Sequence, residues 1–329
     1  MNKKKLKNLA APIVLACALV GSGLEASAGP APLKAVPAAE SPIATRAPML
    51  SAVWAGTRAV AVGANGVILL SDDQGATFRQ AKHVPVSSTL TGVSFADDKK
   101  GWAVGQWGVI LATSDGGETW SVQRLETDED RPLFAVHFFD ASHGVAVGLW
   151  SLVLVTDDGG KNWMVQHMEP PIGSKKADLN LLGLFADAKG LVYATAERGQ
   201  VLQSGNRGRN WRYLDTGHKG SLWTGAALED GVLLVGGQRG ALLRSEDGGL
   251  SWKPVALNTK NSVTTVVARD RNVLVAGLDG LQAESKDGGR TFETTSRAGG
   301  ESLTAALNSS SGNWVLLSRR GVVRESSVK

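Results

Sequence analysis

A pattern of eight residues occurs six times in this chain and constrains its fold more than any other feature. Residues 101–120 read GWAVGQWGVILATSDGGETW, and their last eight combine Asp, Gly and Gly with a following Thr and Trp. Asp and Gly favour tight turns, whereas the flanking β-branched and aromatic residues favour strands. The pattern therefore predicts a repeated β-hairpin. We call these eight residues the box; its copies span 71–78, 113–120, 156–163, 204–211, 245–252 and 285–292.

A second turn precedes each box and sets the period of the repeat. Its last residue falls at Gly66, Gly108, Ser151, Gly199, Gly240, Gly280 and Gly321, with spacings of 42, 43, 48, 41, 40 and 41 residues. Such a period, with several short strands per unit and no 3.6-residue apolar pattern, is typical of a β-propeller blade. We predict an all-β fold: a seven-bladed β-propeller of four-stranded antiparallel blades over residues 49–329.

The seventh unit differs from the others because it lacks a box and a fourth strand. Residues 29–48 are rich in Ala and Pro and form a leader to the first blade. We expect part of this leader, near residues 41–46, to supply the missing outer strand, since an outermost strand tolerates proline. The last blade would then be closed by an N-terminal strand, which would remove an exposed edge.

Residues 1–28 have the composition of a secretory signal peptide, with a basic start, a short apolar stretch and Ala-Ser-Ala at 26–28. We expect cleavage after Ala28, export, and a periplasmic location in a Gram-negative source. Lipid anchoring at Cys17, the single cysteine, is the less favoured alternative. The signal contains four Lys and one Glu, so the net charge of +4 falls to 4 − 3 = +1 without it. This value argues against nucleic-acid binding.

Within the box we expect structural roles. The acidic or amide side chain can accept N–H groups across its own turn, and the aromatic side chain can bury a large area at the blade edge. Each turn offers too few oxygens for a calcium site. The side chains concerned are Asp73, Asp115, Asp158, Asn206, Asp247 and Asp287, with Trp120, Trp163, Trp211, Trp252 and the phenylalanines Phe78 and Phe292.

The octet resembles the Asp-box, or BNR, repeat of sialidase-like propellers. The longer run at 101–120 is similar to the repeat of the photosystem II stability/assembly factor family, whose members are exported seven-bladed propellers. The resemblance covers the chain from about residue 50, although box 4 departs from the pattern and repeat 7 is truncated. It implies a role in assembling a membrane protein; the box alone specifies fold strongly and function weakly.

The turns between second and third strands should share one face of the ring with the longer blade connections. They present Trp107 and Trp150 on blades 2 and 3, and Arg198, Arg239, Arg319 and Arg320 on blades 4, 5 and 7. Indole and guanidinium groups are enriched at protein-binding hot spots. We predict that these six residues bind a partner; the alternative is that the indoles fold back over neighbouring blades and the arginines are solvated turn residues.

A sialidase-like or other glycoside hydrolase is the alternative from a different class. Arg198, Arg239 and Arg320 could imitate a carboxylate-binding triad, but Tyr193 and Tyr213 are the only tyrosines available as a nucleophile and fall on the second and outer strands of blade 4. No pair of acids, histidine cluster or phosphate-binding loop stands out. We therefore predict no catalytic residue, no metal and no cofactor. The predicted function is a scaffold or assembly factor for a membrane-associated or envelope protein, with an accessory of another envelope complex, such as an export system, as the second possibility.

Overall fold

Seven up-and-down antiparallel sheets follow one another along the chain, which confirms the predicted seven-bladed β-propeller. The computed structural model describes residues 35–126 and 128–323. Six sheets have four strands and the seventh has three within the described residues. In each blade the strands pair in chain order, so the first strand lies at the ring's centre and the last at its rim.

The strands are short, as the repeat requires. Blade 1 contains β1 (Met49–Ala55), β2 (Arg58–Gly63), β3 (Ile68–Ser71) and β4 (Arg79–Gln80); blade 2 contains β5 (Leu90–Phe95), β6 (Gly101–Gly105), β7 (Ile110–Thr113) and β8 (Ser121–Arg124). Blade 3 contains β9 (Leu133–Phe138), β10 (Gly144–Gly148), β11 (Val153–Thr156) and β12 (Met164–Val165); blade 4 contains β13 (Leu181–Ala186), β14 (Val192–Ala196), β15 (Gln200–Ser204) and β16 (Arg212–Asp215). Blade 5 contains β17 (Leu222–Ala227), β18 (Leu233–Gly237), β19 (Leu242–Ser245) and β20 (Lys253–Pro254); blade 6 contains β21 (Val263–Arg269), β22 (Asn272–Gly277), β23 (Leu281–Ser285) and β24 (Glu293–Ser296). Blade 7 contains β25 (Leu303–Asn308), β26 (Trp314–Ser318) and β27 (Gly321–Val322).

The helical structure consists of single 3-10 turns: Ala44–Arg46, Ala64–Gly66, Gln106–Gly108, Leu149–Ser151, Glu197–Gly199, Gln238–Gly240, Leu278–Gly280 and Ala298–Gly300. Six of these lie between the second and third strands of blades 1–6. None of the helices in the described part of the chain has the length and apolarity that a membrane crossing needs.

The core lies between adjacent blades. Middle-strand residues of one blade pack on those of the next; Val60 and Leu70 of blade 1, for example, share a cluster with Ala103 and Leu111 of blade 2. The seven inner strands enclose a central channel of about 260 Å³. Threonine hydroxyls also join neighbouring inner strands, as where Thr91 Oγ1 donates to the Leu133 carbonyl oxygen over 2.7 Å.

The leader closes the ring in a different way from the one predicted. Residues 44–46 form a 3-10 turn where the sequence predicted a strand, and none of the described leader pairs with blade 7. Instead, the Thr45 carbonyl lies against Gly321, whose Cα has no room for a Cβ. In blade 5 the carbonyl of Thr259, on the connection to blade 6, lies against Gly240 in the same manner. The described part of the leader, residues 35–48, thus takes the place of the seventh blade connection and forms no strand with blade 7.

Blades 7 and 1 are joined directly by residues far apart in sequence. Thr304 Oγ1 donates to the Met49 carbonyl oxygen (2.6 Å), and Trp54 Nε1 donates to the Asn308 carbonyl oxygen (2.8 Å). A hydrophobic cluster that includes Met49, Leu69 and Leu317 spans the same junction. Over residues 35–126 and 128–323, side-chain packing and these hydrogen bonds therefore complete the ring without a shared strand.

Each box joins two blades. In box 2, Asp115 Oδ1 accepts from the Thr119 N–H (3.0 Å) and Oδ2 accepts from its hydroxyl (2.6 Å), while Thr113 Oγ1 accepts from the Gly117 N–H (3.1 Å). The second glycine of every box has a positive φ and packs on the preceding blade. In box 4, a Cβ on Gly208 would lie 2.6 Å from Val145 Cγ2 in blade 3. The box is an inter-blade contact as well as a turn.

The box carboxylates predict acid-induced unfolding. Hydrogen bonds from Thr77, Asn162 and Ser251 lower the pKa values of Asp73, Asp158 and Asp247, respectively, to about 2. Their unfolded pKa lies near 3.9, so the unfolded chain binds more protons between pH 2 and pH 4. The stabilisation is fully present above pH ~4 and is lost as the pH falls through ~2.

We therefore expect the free energy of unfolding, measured by urea titration followed by circular dichroism, to fall as the pH decreases from 4 to 2. The triple variant Asp73→Asn, Asp158→Asn and Asp247→Asn should show a shallower fall, because it binds up to about three fewer protons on unfolding. Box 4 shows that asparagine can form this turn, because Asn206 Oδ1 accepts from the Asn210 N–H (2.9 Å) without a titrating group. Identical pH profiles for the two proteins would contradict this account.

Candidate partner-binding face

The turns between second and third strands lie on one side of the ring together with the blade connections. The connecting backbone packs directly on these turns: the Thr89 carbonyl accepts from the Gln106 N–H (3.0 Å), and the Ser221 carbonyl accepts from the Gln238 N–H (3.0 Å). We call this side the turn face. The boxes and the turns between first and second strands lie at the other ends of the strands, on the box face.

All six residues predicted to bind a partner lie on the turn face. Trp107, Trp150, Arg198 and Arg239 each occupy the middle of the 3-10 turn of their blade, and Arg319 and Arg320 form the turn between β26 and β27. The Trp150 side chain is 54% exposed, Trp107 is half-buried, and the four arginines are exposed. Burial in the blade core thus accounts for neither Trp150 nor the arginines.

The backbone at these positions is unusual for such side chains. Trp107 has φ 61° and ψ 26°, Trp150 has φ 52°, Arg198 has φ 57° and Arg239 has φ 58°. Each is followed by a second residue with positive φ, and the Val109 N–H, for example, donates to the Gln106 carbonyl. Two consecutive left-handed residues with this hydrogen bond define a type I′ turn, which favours Asn, Asp and Gly.

Blades 1 and 6 carry the residues that this turn favours. Their turns contain Asn65 before Gly66 and Asp279 before Gly280, at φ 56° and 52°. A left-handed conformation costs an ordinary L residue roughly 1–2 kcal/mol, and a bulky residue there is an outlier. Blades 2–5 therefore present two indoles and two guanidinium groups at a conformational cost that blades 1 and 6 avoid. Strain of this kind is typical of functional sites.

A group of polar side chains holds the strained turns in place, and the prediction from sequence did not include them. Polar side chains from the next connection accept the backbone N–H of the strained residue: Asp130 Oδ1 from Trp107 (2.9 Å), Asn180 Oδ1 from Trp150 (3.0 Å) and Ser262 Oγ from Arg239 (3.1 Å). Ser302 holds Asp279 in the same way over 3.2 Å. Asn180, Ser262 and Ser302 each directly precede an inner strand, and this shared position is the signal that could have revealed them.

The turn face carries both an acidic blade connection and several exposed arginines. The connection after blade 2 contributes Glu126, Asp128, Glu129 and Asp130, whereas blades 4, 5 and 7 contribute the arginines named above. Arg198 Nη1 lies 3.6 Å from Asp178 Oδ1, and both side chains are exposed, so this ion pair is weak. Arg239, Arg319 and Arg320 form no ion pair with any described residue. Their guanidinium groups are thus available to carboxylates of a partner.

The two tyrosines lie where the sequence placed them, on β14 and β16. The Tyr193 side chain is fully buried, and its hydroxyl accepts from Gln203 Nε2 over 2.9 Å. The Tyr213 hydroxyl donates to the Glu169 carbonyl oxygen over 2.9 Å. Burial raises the pKa of both phenols, which disfavours the phenolate that a nucleophile requires. Over residues 35–126 and 128–323, no three His, Cys, Asp or Glu side chains form a metal-binding group.

The fold and the turn face define a seven-bladed β-propeller built from box-containing repeats. Residues 80–232 match the profile of the family described as "Photosynthesis system II assembly factor YCF48". A segment is 34% identical over 91 residues to the chloroplastic photosystem II stability/assembly factor HCF136 of Cyanidioschyzon merolae; it covers 26% of this chain and 21% of that relative, so the match spans about a fifth of the relative's length.

Two solved structures are similar over most of the chain. A structure described as YCF48 bound to D1 peptide covers 86% of this chain and 94% of its own, with a TM-score of 0.68 and 20% identity. YCF48 from Cyanidioschyzon merolae covers 88% of this chain and 98% of its own, with a TM-score of 0.69 and 19% identity. At this identity the structures show the fold. The match over residues 80–232 confirms the resemblance drawn from the repeat: this part of the chain is similar to photosystem II assembly factors.

Proposed function

We propose that this protein is an assembly factor that binds an exposed segment of a membrane protein on its turn face. The observation that carries the proposal is the strained backbone of blades 2–5, which presents Trp107, Trp150, Arg198 and Arg239 where the turn favours Asn or Gly. The relative YCF48 has been solved with a D1 peptide, and the matching family is named for the assembly of photosystem II. Both support a membrane-protein partner.

The chemistry of the turn face suits a segment with apolar and acidic residues. Indole rings bury a large area with little loss of side-chain entropy, and guanidinium groups bind carboxylates in a bidentate manner. The acidic connection at 126–130 would repel the same carboxylates from blade 2. A partner would therefore bind in one orientation, with its apolar residues over blades 2 and 3 and its acidic residues over blades 4, 5 and 7.

The proposal includes an exported, non-enzymatic protein that acts in the periplasm of a Gram-negative source. The signal-like composition of residues 1–28, which lie outside the described residues, supports export. The buried Tyr193 and the backbone-bound Tyr213 hydroxyl support a scaffold over a sialidase-like enzyme. Photosystem II is the partner complex that the family name suggests, and an envelope complex of a non-photosynthetic source remains the alternative.

Charge reversal on the turn face provides the test. The triple variant Arg198→Glu, Arg239→Glu and Arg320→Glu is expected to reduce at least tenfold the amount of membrane protein recovered from solubilised native membranes, because three exposed cations become anions. The matched control carries Lys99→Glu, Lys161→Glu and Lys286→Glu, which reverses three exposed lysines on the box face. Quantitative mass spectrometry of both eluates is the measurement.

Equal recovery by the wild type and the folded arginine variant would contradict docking on the turn face. Turnover of a sialoside or glucan by the purified protein would instead favour the hydrolase. The identity of the recovered protein distinguishes a photosystem II subunit from a component of another envelope complex.

A further inference from the structure

Blade 7 ends in an open strand edge within the described residues. β27 pairs only with β26, and the Val323 N–H donates to the Leu316 carbonyl oxygen over 3.0 Å. Because inward and outward groups alternate along an antiparallel strand, the N–H and C=O of Val322 point away from β26. No described strand accepts or donates there. Unpaired edges of this kind readily add another strand.

A cleft of about 740 Å³ lies beside this edge, between blade 7 and the box of blade 1. Its apolar wall includes Phe78, Trp314, Val315 and Val322, and hydroxyl and amide groups complete the lining. Among the described residues of the lining, Asp73 alone is charged, and its carboxylate already accepts from Ser71 and Thr77. The cleft is therefore suited to an extended segment with uncharged side chains.

In the other six blades a fourth strand lies against the outer edge of the third strand. In three of them, the N–H of the residue directly after the fourth strand donates to an outward carbonyl of the third strand. Ala81 donates to Ile68 (2.9 Å), Gln166 to Val153 (2.9 Å) and Val255 to Leu242 (2.8 Å). In blade 7 the register differs by one residue, so the outward group belongs to Val322, one position nearer the turn, and it has no described partner.

The described residues of the leader make their contacts along blade 1 and the turn face. The Ala38 N–H donates to the Val84 carbonyl oxygen (3.0 Å), the Ser41 N–H donates to Gln80 Oε1 (3.0 Å), and Thr45 packs on Gly321. These contacts hold residues 38–45 along blade 1 and the turn face. We propose that the cleft instead binds an extended, uncharged segment of a partner polypeptide, which adds to β27 as the fourth strand of blade 7. This second docking site is separate from the turn-face site and does not depend on it.

A peptide copied from the protein itself can serve as the probe. Residues 162–166 (NWMVQ) carry the fourth strand of blade 3 and are uncharged. The acetylated and amidated peptide is expected to bind the protein, and the same peptide N-methylated at its final Gln, which lacks the N–H that donates to Val153 in blade 3, is expected to bind at least threefold more weakly. Binding is followed by the protection of the Val322 amide from hydrogen exchange, measured by NMR.

Two variants separate strand addition from adventitious contact. Val322→Pro removes the outward N–H without removing a bond to β26 and should abolish peptide binding, measured by calorimetric titration because the variant has no amide proton at position 322. Ser311→Arg, which places a charge in the cleft without altering β27, should weaken binding at least threefold and serves if the proline variant does not fold. The Arg198→Glu, Arg239→Glu and Arg320→Glu variant should bind the peptide like the wild type, so failure of the turn-face proposal leaves this one testable.

Equal binding of the two peptides, or unchanged binding by both variants, would overturn the proposal. So would strong protection of the Val322 amide in the free protein, because the edge would then already be paired within the chain. Binding seen only after removal of residues 324–329 would likewise overturn it, since those residues would then be the occupant.

Discussion

Replacing Trp107, Trp150, Arg198 and Arg239 together with asparagine is expected to stabilise the protein while it abolishes partner binding. All four residues have φ between 52° and 61° at the second position of a type I′ turn. Asparagine tolerates this conformation, so each replacement should recover about 0.5–1 kcal/mol, or about 2–4 kcal/mol in total. Partner recovery should fall at least tenfold, because the two indole groups and the two exposed guanidinium groups are lost.

The ring contains its own control for this experiment. Asn65 occupies the equivalent turn of blade 1 at φ 56°. The converse variant, Asn65→Trp, should lower the free energy of unfolding by about 0.5–1 kcal/mol. Urea titration followed by tryptophan fluorescence or circular dichroism gives the free energies of unfolding of both variants. Pull-down from solubilised membranes measures partner binding. A destabilised asparagine variant would show that the four side chains support the fold, which would contradict a role confined to partner binding.

Gly75→Ala is expected to destabilise the protein by about 2–4 kcal/mol by separating blades 7 and 1. Gly75 has φ 89°, and an added Cβ would overlap the branched side chain of Val315 on β26. The left-handed backbone accounts for about 1 kcal/mol, and overpacking against a stiff β-branched neighbour adds about 1–3 kcal/mol. The overlap would act at the junction of blades 7 and 1, which is otherwise held by side-chain packing and by the hydrogen bonds of Thr304 and Trp54.

Gly248→Ala is the matched control, since Gly248 lies in box 5 at φ 72° with no atom near an added Cβ. It should cost only about 1 kcal/mol. The double variant Gly75→Ala, Val315→Ala should be less destabilised than the sum of its single variants, because the smaller side chain relieves the overlap. Urea titration of the wild type and the four variants measures these free energies of unfolding. Equal effects at Gly75 and Gly248, with additive single variants, would show that the blade junction does not depend on this contact.

The candidate face illustrates how far sequence reasoning reaches. The repeat placed Trp107, Trp150 and the arginines on one face because every blade turns at the same point of its period. It did not show that Trp107 and Trp150 have left-handed backbones, although Asn-Gly and Asp-Gly in the equivalent turns of blades 1 and 6 carried that signal. The side chains that hold these turns, such as Asn180, come from the next connection and become neighbours only in the folded ring.

The sequence by itself determined the number of blades, the order of strands in each blade and the positions of the boxes. These features arise from contacts within about 40 residues. Each repeat contains the same pattern, so an irregular unit can be interpreted by comparison with the others. Only the tertiary structure decided how the ring closes. Thr304 reaches Met49, and Thr45 packs on Gly321, across almost the whole chain. Such pairings depend on the accumulated angle between seven blades, which no local pattern specifies. For the same reason, only the folded ring shows that residues 44–46 of the leader take the place of the seventh blade connection and that the edge of blade 7 has no described strand against it.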